Sequence, residues 1–170
     1  LPYLPPEVRE TIYDEEVLYN SVNNLIEMKN IRGIVHCHSN YSDGHNSIEE
    51  IAKYCIDKGY EYLVICDHSQ SAGYANGLRI DAIKKQHQEI DNLNVKLKPF
   101  KILKGIECDI RLDGSLDYSD EILSTFDIVV ISIHSKLEMD KETATLRLTK
   151  AIRNPFSHIL GHPSGRLLLS

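Results

Sequence analysis

The sequence predicts an α/β fold built on parallel strands, and two features carry that prediction. Short β-branched runs alternate with helical patterns from residue 31 onward. The runs are apolar at consecutive positions, which is typical of strands buried on both faces. Strands that alternate with helices favour parallel pairing through right-handed crossovers. The runs are Ile34–Val35, Leu63–Ile65, Ile102–Ile106, Ile128–Ile133 and Ile159–Leu160.

Four helical patterns lie between these runs, and most have start or stop signals. Ser47 and Glu50 form a capping box in front of an apolar stripe, and Gly59 is suited to end that helix. The stripe Ile80-Ile83-His87-Ile90 predicts the second helix, and Ser119 is suited to cap a short third helix. A stripe from Ala144 to Ile152 predicts the fourth helix, which Pro155 ends.

Size and composition indicate one globular domain. The chain has 170 residues, of which 42% are apolar and 26% are charged. No apolar run approaches the ~20 residues that a membrane span needs, so we expect a cytoplasmic protein. The net charge of −6, from 19 basic and 25 acidic residues, argues against a broad basic surface for nucleic acid. The cysteines form no C-x-x-C pair and are expected to be free buried thiols.

All five predicted strands end in residues that can bind a metal ion. In chain order these are His36 with His38, Asp67 with His68, Glu107, His134, and His162. The carboxyl ends of parallel strands lie at one end of the fold, so these side chains are expected to converge. His36 and His38 are two residues apart, which on a strand places both on one face and Cys37 on the other.

The residue types predict a catalytic site for divalent ions. Imidazole nitrogens and carboxylate oxygens bind zinc, manganese or iron, and Glu107 can bridge two ions. Two ions ~3.5–4 Å apart can clamp a phosphoryl group. One histidine at a strand end is usually structural, but five strand ends in succession favour metal binding. Asp67 keeps two interpretations, as a ligand or as the group that orients His68 or caps the next loop.

Three other histidines, His45, His87 and His158, lack a position at a strand end. His87 falls within a helical stripe, so we expect it to pack in the interior. His45 lies near the first histidine pair, and its role stays open.

The segments around the metal-binding residues resemble the motifs of PHP (polymerase and histidinol phosphatase) domains. The matching segments are residues 36–44 (HCHSNYSDG), 65–69 (ICDHS), 105–107 (GIE), 132–134 (SIH) and 162–166 (HPSGR). The last is similar to H-P-T-G-R, a form typical of bacterial-type family X DNA polymerases. Residues 1–10 resemble the segment that joins the polymerase and PHP domains of those enzymes.

The resemblance implies a distorted (β/α)7 TIM-like barrel, here incomplete with about five strand-helix units. It also implies two or three divalent ions, Zn²⁺, Mn²⁺ or Fe²⁺, with Mn²⁺ supporting activity. The ligand sets that it implies are His36, His38 and Glu107 for the first ion, Glu107, His134 and His162 for the second, and Asp43 and His68 for the third. The first two sets form the catalytic centre.

Two departures from the family pattern affect these expectations. The usual G-D-L-H lead-in is Gly33–His36 here, which removes an acidic residue that is not expected to be a ligand. A late D-x-H motif is absent before Ser170, and it normally supplies ligands to the first and third ions. We therefore expect residues 31–170 to be a PHP domain truncated at its C-terminus, with self-association through exposed strand edges. Residues 1–30 are expected to be a linker from a missing polymerase domain.

Phosphate recognition also needs cations, and Arg79, Lys136 and Arg166 lie near the motif loops. Each is otherwise an ordinary surface charge. The resemblance implies a metal-dependent phosphoesterase that acts on DNA 3′ ends as a 3′–5′ exonuclease or 3′-phosphatase in DNA repair. The alternatives are a small-molecule phosphatase of the histidinol phosphatase type and a non-catalytic domain that supports the polymerase.

Overall fold

Five parallel strands form one curled sheet in the computed structural model, which describes residues 26–163. The strand order follows the chain, β1-β2-β3-β4-β5. The strands are β1 (Gly33–Cys37), β2 (Tyr62–His68), β3 (Lys101–Asp109), β4 (Ile128–Ser132) and β5 (Ile159–Leu160). The sheet is an α/β half-barrel, as the sequence predicted. The number of strand-helix units in a complete barrel stays a prediction.

The helices lie between the strands and are α1 (Ile48–Asp57), α2 (Ile80–Lys96), α3 (Asp120–Leu123) and α4 (Lys141–Ile152). The capping box of α1 is confirmed, because the Ser47 hydroxyl accepts from the Glu50 amide and the Glu50 carboxylate accepts from the Ser47 amide. Gly59, with φ of 80°, follows the last residue of this helix. Ser119 holds the N-cap position of α3 without a side-chain hydrogen bond.

Three strands, β1, β2 and β3, are longer than the apolar runs that predicted them. β2 continues through His68, which pairs with Glu107, and β3 continues to Asp109, which pairs with Ser132. The run length was misleading because backbone groups form the ladder whatever the side chain. The polar residues therefore lie within the strand ends and share the alternation of the sheet.

The two faces of the sheet bury different side chains. Alternate residues such as Leu63 and Ile65 pack against the helices in clusters that form most of the core. The intervening residues Val64, Cys66 and Val130 pack together on the inner face. Burial on both faces explains the continuous apolar runs. All four cysteines are free, as expected.

β1 departs from regular strand geometry beside the first histidine pair. Its register with β2 shifts between Ile34 and Cys37, and His36 has φ of 67°. Simple alternation along a strand is therefore the wrong reason for the convergence of His36 and His38. A local irregularity turns the two rings together instead, with centroids 5.3 Å apart.

Several predictions fall on residues that the structure does not describe. Residues 1–25 and Arg166 lie outside the described range. Among the described strands, β1 and β5 are the outer ones, with Val35 43% and Ile159 40% exposed. Self-association through these edges stays a prediction.

None of the helices within residues 26–163 combines the length and apolar character that crossing a membrane requires.

A buried arginine ties α4 to the loops that follow β3 and β4. Arg147 is 2% exposed, and its guanidinium donates to the carbonyl oxygens of Ile110, Arg111, Ser135 and Lys136. Burial lowers the pKa of Arg147. These hydrogen bonds hold the loop that begins directly after His134.

We expect Arg147→Met to lower the free energy of unfolding by about 3 kcal/mol, because several buried carbonyl groups lose their donor. Urea denaturation measures the change. Arg153→Met, at the exposed end of the same helix, is the matched control and should cost less than about 0.5 kcal/mol. Equal losses in both variants would contradict the role of Arg147 in holding these loops.

Candidate metal centre

A buried carboxylate lies at the centre of a histidine cluster at the carboxyl ends of the strands. Glu107 is 2% exposed and lies within 3.5 Å of five imidazoles. The separations from its oxygens are 3.2 Å to His36 Nε2, 3.5 Å to His38 Nε2, 3.2 Å to His68 Nδ1, 3.2 Å to His134 Nε2 and 2.9 Å to His162 Nε2. The structure thus brings together the residues that the sequence placed at strand ends.

Asp43 extends the cluster on one side. Its oxygens lie 3.2 Å from His38 Nδ1 and 3.6 Å from His68 Nε2. The carboxylate is presented by a tight turn, because a Cβ added to Gly44 would lie 2.4 Å from the His38 carbonyl oxygen. His38 and His68 therefore each face Glu107 with one nitrogen and Asp43 with the other.

The geometry of the cluster fits bound divalent ions. The sets His36-His38-Glu107, His38-Asp43-His68 and His68-Glu107-His134 each bring three ligand atoms within 4.8 Å of one another. The closest separations around Glu107, 2.9–3.5 Å, are near the about 3.3 Å between ligand atoms of a tetrahedral ion with bonds of ~2.0–2.1 Å. The set with Asp43 shares His38 with the first set, which the sequence did not predict.

Two unpaired nitrogens support this fit. His38 Nδ1 and His68 Nδ1 are buried and have no hydrogen-bond partner within the described part of the chain. Carboxylate oxygens lie 3.2 Å from each, but their directions do not suit a hydrogen bond. Buried polar atoms are rarely left unpaired, and ligands aimed at a common centre have this arrangement.

Burial and neighbouring side chains shift the pKa values of residues in the cluster. Burial opposes the ionisation of Glu107, but hydrogen bonds from His134, His36 and His162 outweigh it and hold the pKa of Glu107 well below its usual range. Burial lowers the pKa of His68, which keeps its imidazole neutral. An ionised carboxylate and a neutral imidazole are the forms that bind metal.

Asp67 joins none of the ligand sets among the described residues, and its hydrogen bonds go to the turn after β1 and to α2 rather than to His68 or the next loop. The carboxylate is fully buried and accepts from the Ser39 amide at 2.7 Å, the Ser39 hydroxyl at 2.6 Å, the Ser42 hydroxyl at 2.5 Å and Gln86 Nε2 at 2.6 Å. Alternation along β2 points it away from the face that His68 occupies. Asp67 therefore anchors the turn that presents Asp43.

Asp109 is a functional candidate that sequence reasoning missed. Its Oδ1 accepts from His134 Nδ1 at 2.6 Å, and its Oδ2 accepts from the Ser71 hydroxyl at 2.7 Å. This contact orients His134 so that Nε2 faces Glu107. The signal was present in the sequence, because Asp109 is two residues after Glu107 and alternation places both on one face of β3.

The structure describes two of the three predicted phosphate-binding cations, Arg79 and Lys136. Arg79 lines an open depression beside α2. Lys136 is exposed in the loop after β4 with φ of 53°. Within the described residues neither forms an ion pair, and Arg166 lies outside that range, so all three assignments stay predictions.

The remaining histidines lie away from the cluster. The ring of His87 packs edge-on against Phe126 with centroids 4.8 Å apart, as expected for an interior residue. His158 Nδ1 accepts from the Val129 amide. His45 is exposed and joins none of the ligand sets.

The half-barrel and its histidine-carboxylate centre define a member of a known family. Residues 35–161 match the PHP domain, and the chain belongs to this family.

Comparison with curated proteins finds relatives with two kinds of name. The chain is 46% identical over 168 residues to the DNA polymerase/3′-5′ exonuclease PolX of Bacillus subtilis (strain 168), which covers 99% of this chain and 29% of that protein. It is 32% identical over 135 residues to a probable phosphatase of Thermoanaerobacter sp. (strain X514), covering 75% of this chain and 52% of that protein. A probable phosphatase of Caldanaerobacter subterraneus subsp. tengcongensis is 33% identical over 137 residues, covering 75% of this chain and 50% of that protein.

We expect Asp109→Asn to weaken Mn²⁺ or Zn²⁺ binding by roughly 10-fold to 100-fold, because His134 loses the carboxylate that orients its ring and raises its basicity. Competition with a chelator measures the affinity. Asp91→Asn is the control, since the exposed Asp91 pairs only with Lys104. Unchanged affinity in a folded Asp109→Asn variant would show that this contact does not support a ligand.

We also expect metal binding at pH 8 to release about one proton from His134. Hydrogen bonds to Asp109 and Glu107 raise the pKa of His134 to about 9 in the metal-free protein, so the imidazole is charged and must lose its proton to bind. The charged form stabilises the fold fully below ~6.5, and this contribution disappears as the pH rises through about 9. Calorimetry in buffers of different ionisation enthalpy counts the protons, and a buffer-independent heat would refute the expectation.

Proposed function

We propose that this chain is the metal-dependent phosphoesterase domain of a family X DNA polymerase, and that it hydrolyses DNA 3′ ends as a 3′–5′ exonuclease or 3′-phosphatase in DNA repair. The observation that supports this most directly is the buried Glu107 carboxylate among five imidazoles. The likeness to a relative named as a polymerase and 3′-5′ exonuclease supports the choice of substrate. The chain spans 29% of that relative, so the presence of a polymerase domain in the same protein is part of this proposal.

The proposed catalytic residues are His36, His38, Glu107, His134 and His162, and Asp43 with His68 completes the ligand set. Divalent ions at these ligands would polarise the phosphoryl group and lower the pKa of water. Glu107 belongs to two of the three ligand sets and also lies 2.9 Å from His162, so its carboxylate would be the ligand that the sets share. Arg79, Lys136 and Arg166 would hold the nucleic-acid backbone outside the cluster.

The relatives named as phosphatases favour a second candidate. A small-molecule phosphatase uses the same ligand set, and these relatives share 32–33% identity with the chain. Hydrolysis of a 3′-recessed duplex and of histidinol phosphate, measured side by side, separates the two. Faster turnover of histidinol phosphate than of DNA would refute the exonuclease proposal.

In the full protein, we expect Glu107→Gln to lower the rate of phosphoester hydrolysis at least ~100-fold. Nucleotide addition should continue. The carboxylate charge that neutralises the ions is lost, and nucleotide addition takes place in a different domain. Glu142→Gln, an exposed residue in the first turn of α4, is the control. Loss of both activities in a folded Glu107→Gln variant would contradict the proposed division of labour.

A further inference from the structure

Tyr74 is an exposed aromatic residue at the rim of the metal centre. Tyr74 lies in a short 3-10 turn, Gly73–Ala75, and is 72% exposed. The ring lies 5.9 Å from the His68 ring, centroid to centroid, at an interplanar angle of 62°. The ligand set and the orienting carboxylates do not include it.

The loop that carries Tyr74 is firmly built. Its two ends are joined by the Leu78 amide, which donates to the His68 carbonyl at 2.8 Å. Ala72 and Ala75, on either side of the tip, are each 1% exposed. A Cβ added to Gly77 would lie 1.8 Å from the Ser69 carbonyl oxygen, so only glycine permits this close approach. The turn thus places an aromatic ring in solvent on a fixed support.

The surroundings of Tyr74 suit a nucleotide. The loop that carries Tyr74 leads into an open depression lined by Gln70, Arg79, Ile80, Asp81 and Lys84. Arg79 and Lys84 thus follow Tyr74 closely in the chain, and proteins that bind single-stranded nucleic acid combine aromatic and cationic side chains.

We propose that the Tyr74 ring is a stacking platform for the terminal nucleobase of the DNA strand whose phosphoester enters the metal centre. This inference rests on the proposed function. Every nucleobase has a flat π-face, so such a platform adds affinity without selecting a base sequence. The fixed turn aligns the 3′ nucleotide, and the cluster acts on its phosphate.

The test compares two DNA strands that differ only in their 3′-terminal residue, which is a nucleotide in one and an abasic residue in the other. In the Mn²⁺-loaded full protein, Tyr74→Ala should lower kcat/KM for the normal strand by roughly 10-fold and leave the abasic strand unchanged. Tyr74→Phe, which keeps the ring, should behave as the wild type. Tyr54→Ala is the matched control, because Tyr54 is 62% exposed on α1.

Three results would overturn the proposal. Equal losses on both strands would indicate a general structural role for Tyr74. A Tyr74→Phe variant as impaired as Tyr74→Ala would assign the effect to the hydroxyl group. No loss in Tyr74→Ala on either strand would show that the ring does not contact substrate.

A binding measurement separates this proposal from the proposed function. A strand with 2-aminopurine at its 3′ end and a terminal phosphorothioate should lose fluorescence on binding to the wild type, and should lose much less with Tyr74→Ala. If the wild type quenches this probe but hydrolyses no DNA, stacking stands and the exonuclease proposal fails. If quenching does not depend on Tyr74, the stacking proposal fails whatever the enzyme hydrolyses.

Discussion

The burial of the Glu107 carboxylate is the interaction on which the carboxyl end of the fold depends. An ionised carboxylate that is 2% exposed carries a desolvation penalty of several kcal/mol unless nearby groups compensate it. The five imidazoles that surround it come from β1, β2 and the segments after β1, β4 and β5. Compensation therefore requires that all these strand ends converge on β3. His36 and His162 have positive φ values of 67° and 25°, and backbone strain of this kind persists where the surroundings hold it in place.

The alternation of the sheet divides the acidic residues between two tasks. Asp67 lies on the helix-facing side of β2, where it accepts hydrogen bonds from Ser39, Ser42 and Gln86. These hydrogen bonds fix the turn that carries Asp43. Asp109 lies on the inner side of β3, where it fixes the ring of His134. Neither carboxylate joins a ligand set. Each instead limits the freedom of a residue that does, which is how a site reaches the precision that metal chemistry needs.

The loops around the centre are held by buried polar contacts rather than by regular structure. Arg147 reaches from α4 to carbonyl groups after β3 and β4, and Tyr118 donates to the Leu78 carbonyl at the base of the Tyr74 loop. Such contacts are costly to break because the partners would remain buried without hydrogen bonds. They keep the rim of the site rigid although it lies outside the sheet.

The sequence by itself determined the strand-helix alternation, the cap of α1, and the candidate metal ligands at successive strand ends. These features follow from local rules, because apolar runs and polar strand ends are read along the chain. Only the tertiary structure decided that His38 and His68 each face two carboxylates, that β1 is irregular at His36, and that Tyr74 stands at the rim. Alternation fixes the face of each residue within one strand. Distances between strands depend on register, on local irregularity and on loop packing, and these are properties of the folded chain.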